Sequence, residues 1–258
     1  MKLKEIIIPK TRSTRFIELD IVRGFAISLM VFLHILWDLN YFGILPLNKT
    51  IYKVNVVCPA LFFLLLGVCL AVSTNKSDLN LRKIKHLIHR GVWILTLGMI
   101  LTVITLLLLP ERPILFGVLH CIGFSVILAI PILKIKLNPI PTIILGFFIV
   151  AAGLLLKTIT FNNPTYLHLS IGLHEANIWS NTIDYFPLMP WFGLCLIGIA
   201  IGNILYKDHK RQFSIPDLSQ YKPASLFSWM GQHSLIIYLI HQPIIAGILS
   251  IYLYYPVF

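Results

Sequence analysis

Long apolar runs broken by short polar or basic stretches set the pattern of this chain. A helix needs about 20 mainly apolar residues to cross a hydrocarbon core roughly 30 Å thick. Seven such runs are present, at about 19–38, 54–73, 91–109, 114–133, 140–157, 187–206 and 226–250. The pattern predicts an all-α, polytopic membrane bundle of seven transmembrane helices, forming one domain over residues 1–258. Pro110-Glu111-Arg112-Pro113 reads as a tight hairpin between the third and fourth spans. The longest connection, 158–186, holds Tyr166, His168, His174, Glu175, Trp179 and Asp184. It is too long and too aromatic for an idle linker and is expected to cap the bundle. Residues 81–90 read as a basic amphipathic helix running into the third span. Gly198 and Gly202, with Gly193 nearby, mark a close helix contact.

Composition sharpens this picture. The chain is 57% hydrophobic and only 12% charged, and its mean hydropathy is +0.85. Soluble chains carry about twice that charged fraction, so an ordinary soluble domain is excluded. The formal charge of +11 would suit nucleic acid, but its distribution suits a membrane better. With the N-terminus cytoplasmic, the inner segments hold 17 Lys and Arg residues and the outer ones only Lys49, Lys53, Arg112 and Lys157. The odd number of spans then puts the C-terminus outside, makes 1–18 a cytoplasmic segment and makes 158–186 an outer loop. No cleavable signal is read at the start, because the first apolar run is too long for one. The expected location is the cell membrane, with multiple passes and anionic lipid against the basic inner face. Cys58, Cys69, Cys121 and Cys195 lie inside apolar runs and read as small core residues. Asn48-Lys49-Thr50 fits a glycosylation sequon.

The candidate chemistry lies in ionisable groups inside the apolar runs, where each one is expensive to keep. His34 sits deep in the first span, and Asp38 follows one turn later on the same face. An acid at that spacing is expected to orient the ring and stabilise its cation, as a buried general base requires. At about 1.5 Å per residue, His34 lies roughly 22 Å from the inner end of its span and His241 roughly 22–24 Å from that of the seventh. His120 lies roughly 9 Å from the outer end of the fourth. All three fall in the outer half of the core. Gln242 adjoins His241, and Pro243 bends that helix and frees a carbonyl, as a lined cavity would use. Trp37 and Trp191 stand at the outer boundary, where an aromatic belt or a substrate platform explains them. Arg23 either pairs with Asp20 or, with Arg82, Lys83, Lys85 and Arg90, holds the phosphates of a cytosolic cofactor. No metal-ligand spacing is present, and no metal is expected. The competing class is a transporter using the same histidines as a proton relay, although no internal repeat is evident.

Four blocks carry a family resemblance. They are Glu18-Leu19-Asp20 with Arg23-Gly24 and His34; Phe116-Gly117-Val118-Leu119-His120-Cys121-Ile122-Gly123; Phe186-Pro187-Leu188-Met189-Pro190-Trp191-Phe192-Gly193; and Gly231-Gln232-His233 running on to His241-Gln242-Pro243. In this order they resemble the heparan-α-glucosaminide N-acetyltransferase catalytic-domain family, within the wider set of transmembrane acyltransferases. The resemblance implies transfer of acetyl from acetyl-CoA, as acyl donor, to a hydroxyl or amine acceptor, a sugar or glycan, across the membrane from the CoA pool. In the animal lysosomal members the proposed active histidine lies in the first outer loop. Here 40–53 contains no histidine, and His34 with Asp38 matches the small prokaryotic-type pattern instead. His120, His241 or Gln242 would then hydrogen-bond the developing oxyanion, with an acetyl-imidazole relay as the other route. Nucleic acid is not an expected partner, and the apolar surfaces leave homo-oligomerisation open.

Overall fold

The computed structural model describes residues 15–46, 49–75 and 79–253. Lys2, Lys4, Lys10, Arg12 and Lys76, most of the 1–18 segment, and Asn48 of the sequon lie outside the described residues. The described chain forms helices α1 (Ile17–Tyr41), α2 (Lys49–Asn75), α3 (Leu81–Leu108), α4 (Val118–Ile135), α5 (Pro139–Leu156), α6 (Tyr166–Ile171), α7 (Ile178–Asn181), α8 (Leu188–Leu205), α9 (Lys222–Gln232) and α10 (Ser234–Leu253). Seven of them, α1 to α5, α8 and α10, are long and apolar enough to cross a membrane. The all-α, seven-span expectation therefore holds. Pairing is almost wholly helical, with only two isolated bridges, Phe116 with Tyr185 and Thr160 with His174, among the described residues.

The chain divides into two compact units, one of 1–62 with 214–258 and one of 63–213, and the boundary falls within α2. In the first unit α1 packs against α9 through two glycines. A side chain on Gly24 would meet the Phe227 carbonyl, and one on Gly231 would meet the Asp20 carbonyl. Ile27, Met30, Leu33 and Cys58 form its buried centre. In the second unit Leu70, Val126, Ala129, Cys195, Leu196 and Ile199 form the core. The predicted small-residue contact lies here. Gly198 and Gly202 meet α2 at Leu64 and Val68, and Gly193 meets Gly146 of α5.

One boundary matches expectation and two differ for identifiable reasons. The basic stretch and the third span are one continuous helix, started by Asn80, whose side chain accepts from the Lys83 N–H at 3.1 Å. The fourth span begins at Val118 rather than 114. Residues 114–117 are held outside the helix: the Ile114 N–H donates to Thr105 Oγ1 at 3.0 Å, and the Phe186 N–H donates to the Phe116 carbonyl at 2.8 Å. The predicted run 226–250 is two helices, parted at His233, because α9 lies along α1 while α10 carries the apolar span.

The long connection folds back onto the α3–α4 corner, as the capping expectation required within this unit. Thr182 Oγ1 donates to the Pro113 carbonyl at 2.7 Å, Arg112 donates to the Trp179 carbonyl at 3.0 Å, and the Tyr185 hydroxyl donates to the Leu169 carbonyl at 2.8 Å.

Candidate active site

In the first unit α1 and α10 bring four of the predicted residues together. The His34 and His241 rings lie 4.7 Å apart between centroids and nearly perpendicular, at 87°. His241 is buried, 8% exposed, and His34 is half-buried. Each ring is fixed by its own helix. His34 Nδ1 lies 2.9 Å from the Met30 carbonyl, and His241 Nδ1 lies 2.7 Å from the Tyr238 carbonyl. A carbonyl only accepts, so both Nδ1 atoms carry the proton. In the neutral rings both Nε2 atoms then hold a lone pair, and that of His241 is buried without a partner.

Asp38 is held from across the unit. The Gln242 amide donates to Asp38 Oδ1 at 3.1 Å and Oδ2 at 3.0 Å. This fixes the amide orientation, since only its nitrogen donates, and leaves Gln242 Oε1 buried without a partner. The carboxylate is therefore bonded to Gln242, and the His34 ring to a main-chain carbonyl. At this centre the chain has collected a carboxylate, two imidazole lone pairs and an amide oxygen, all acceptors. Such a set takes up a proton or binds a donor-rich group.

Arg23 lies 11 residues before His34, about 16 Å along α1. Its guanidinium bonds Asp20 Oδ1 at 3.2 Å and approaches the Gly231 carbonyl at 3.5 Å. Arg15 at 3.8 Å and Gln232 at 3.4 Å share the same carboxylate. This is the pairing role anticipated for Arg23, and it ties the start of α1 to α9. Trp37 lies on α1 one residue before Asp38.

His120 and Trp191 belong to the second unit. His120 is the third residue of α4 and 3% exposed, and its ring reaches back so that Nδ1 accepts the Gly117 N–H at 3.2 Å. Its tautomer is thus the opposite of the other two: Nδ1 accepts, so the proton sits on Nε2, which is buried and has no partner. Asp184 closes the same turn, with Oδ2 accepting the Val118 N–H at 3.1 Å. A side chain on Gly117 would press on that carboxylate and on Ile114, so one of them would have to shift to admit it. Burial pushes the Asp184 carboxyl up to about 6, against a lowering by the Val118 N–H. Trp191 is buried and stacks on Phe63 at 5.6 Å. On α3, Arg82, Lys85 and Arg90 are exposed and Lys83 is partly so. Among the described residues no group of three or more His, Cys, Asp or Glu side chains is placed to hold a metal ion.

Seven membrane-length helices, two of which, α1 and α10, share a fixed polar cluster, define a multi-pass membrane protein. The family described as heparan-alpha-glucosaminide N-acetyltransferase, catalytic, matches residues 15–243, and the chain belongs to that family of membrane acetyltransferases. No curated protein and no solved structure matches it.

Proposed function

We propose that the protein takes an acetyl group from cytosolic acetyl-CoA and transfers it to a hydroxyl or amine acceptor, a sugar or glycan, at the outer side of a cell membrane. Family membership supports the transferase class. The observation that carries the chemistry is the pair of imidazoles at 4.7 Å whose protons are turned onto main-chain carbonyls. His34 is the general base. Its Nε2 takes the proton of the acceptor O–H or N–H while the acceptor atom bonds to the thioester carbon. The C–S bond breaks, and the departing thiolate takes that proton from the imidazolium. Asp38, one turn away and secured by Gln242, stabilises the imidazolium as it forms. His241 packs against the His34 ring and, with Gln242 Oε1, accepts hydrogen bonds from the incoming acceptor. Trp37, on α1 beside Asp38, is assigned to its apolar face.

Arg82, Lys83, Lys85 and Arg90 are suited to the phosphates of the nucleotide. They occupy the start of α3, the expected cytosolic end. Arg23 contributes to fold through Asp20.

The test is His34→Ala in detergent. The variant is expected to melt as the parent does, to bind acetyl-CoA in calorimetry, and to lose transfer by about 10²–10⁴-fold, the usual worth of a general base. Turnover at the parent rate overturns the assignment.

A further inference from the structure

The helix that carries His34 continues beyond it. α1 runs unbroken from Ile17 to Tyr41. Tyr41 follows His34 by seven residues, close to two full turns, so the two share a helix face about 10 Å apart along the axis. Trp37 and Asp38 occupy the turn between them, Trp37 four residues before Tyr41 and Asp38 four after His34. Along this face His34, Trp37 and Asp38 are half-buried, whereas Tyr41 is 75% exposed. The face therefore opens toward the end of α1 that is expected to lie outside. All of it belongs to the first unit.

The turn that follows holds Tyr41 in place. The Phe42 N–H donates to the Asp38 carbonyl at 3.0 Å, and the Ile44 N–H donates to the Leu39 carbonyl at 2.9 Å. The Asn40 amide closes the turn by donating to the Leu45 carbonyl at 3.0 Å. Gly43, at φ +72°, supplies the left-handed residue on which the chain reverses. The Tyr41 ring meets that of Phe42 nearly at right angles, with centroids 5.4 Å apart. Tyrosines at a bilayer edge commonly serve as anchors, but anchoring does not call for register with a histidine two turns below.

We infer that Tyr41 binds the second sugar of a glycan whose first sugar is acetylated at His34. The assignment rests on the sugar-acceptor reading above and adds a preference for acceptors of at least two sugars. The reacting sugar presents its O–H or N–H to the acceptor atoms gathered around His34. A single pyranose ring is shorter than the rise from His34 to Tyr41, so the ring that reaches Tyr41 is the next along the chain. Its apolar C–H face packs on the aromatic ring while its hydroxyls keep their water at this exposed position. Tyr41 is a binding residue and takes no part in the proton transfer.

The experiment is steady-state thiol release from acetyl-CoA by the full-length purified protein with two acceptor probes, glucosamine and the disaccharide of two glucosamine units. The parent is expected to show a lower KM for the disaccharide than for glucosamine. Tyr41→Ala raises the disaccharide KM by about 2–10-fold, the worth of one aromatic contact, so the ratio of the two KM values falls toward one. The loss lies in KM rather than in kcat. Tyr41→Leu, which keeps an apolar side chain for the bilayer but no flat ring, shows the same loss, and Tyr41→Trp retains the preference. Equal KM values for the two sugars in the parent, or an unchanged disaccharide KM in Tyr41→Ala or Tyr41→Leu, overturn the assignment of Tyr41. Thiol release with neither sugar by the folded parent overturns instead the sugar-acceptor reading on which it rests.

Discussion

A histidine inside an apolar span can be a base or a donor, and its neighbours decide which. His34 and His241 spend their Nδ1 protons on carbonyls of their own helices, whereas His120 spends its Nδ1 lone pair on a main-chain N–H. Spacing along the chain exposed all three, and counting residues placed His34 and His241 at a common depth, where their rings meet. The partner of Asp38 was not legible. A spacing of four puts acid and ring on one face, but the ring closes on the Met30 carbonyl, and the carboxylate goes to Gln242, 204 residues away. Asp38→Asn is therefore expected to reduce transfer by less than His34→Ala, and Gln242→Leu to act like Asp38→Asn, because one removes the charge that steadies the imidazolium and the other the amide that holds this charge in place. Steady-state thiol release compares them, and a loss in Asp38→Asn equal to that in His34→Ala gives Asp38 a direct chemical role. Asp184 adds a pH signature. The folded carboxyl keeps its proton to about 6, against 3.8 for an exposed aspartate. The folded state binds more protons in that interval, so this group's contribution to stability falls as pH rises through it and is level above. The melting temperature of Asp184→Asn minus that of the parent should climb between those pH values, and a constant difference contradicts the burial.

Among the elements, apolar periodicity located all seven spans, and local polar chemistry moved their edges. Pro113 and Gly117 delay α4, because the intervening residues pair with Thr105 and Phe186. The break at His233 was hidden because α9 and α10 are both rich in apolar residues, and only the docking of α9 on α1 separates their roles. That docking is close enough to be tested by one methyl. Gly231→Ala places a β-carbon against the Asp20 carbonyl, where backbone cannot yield cheaply. A cost of about 1–3 kcal/mol is expected, as for other overpacked sites. It would appear as a lowered melting temperature in detergent, with the Arg23–Asp20 pair strained alongside it. Gly247→Ala in α10, where no atom stands within reach of a β-carbon and the backbone is helical, should cost less and serves as the control. Equal melting of Gly231→Ala and the parent contradicts the packing.

For the whole molecule, charge sets orientation. The excess of basic residues in alternate connections argues that the start of α3 faces the cytosol and that 158–186 faces out. Lys85→Cys should react with an impermeant maleimide only in inside-out vesicles, and Lys157→Cys only in right-side-out ones; the reverse pattern inverts the topology. The two compact units were not legible, because the first is assembled from both ends of the chain and so leaves no linker in the sequence. His34, Asp38, His241 and Gln242 belong to one unit, and His120, Trp191 and the basic residues at the start of α3 to the other. The most direct measurement is thiol release from acetyl-CoA by purified parent and His34→Ala in the presence of glucosamine, with solute flux followed in proteoliposomes. The account predicts release by the parent, CoA binding without release by the variant, and no pH-driven flux. Equal release by both proteins, or proton-coupled flux without acetyl-CoA, contradicts it and returns the histidines to a transport role.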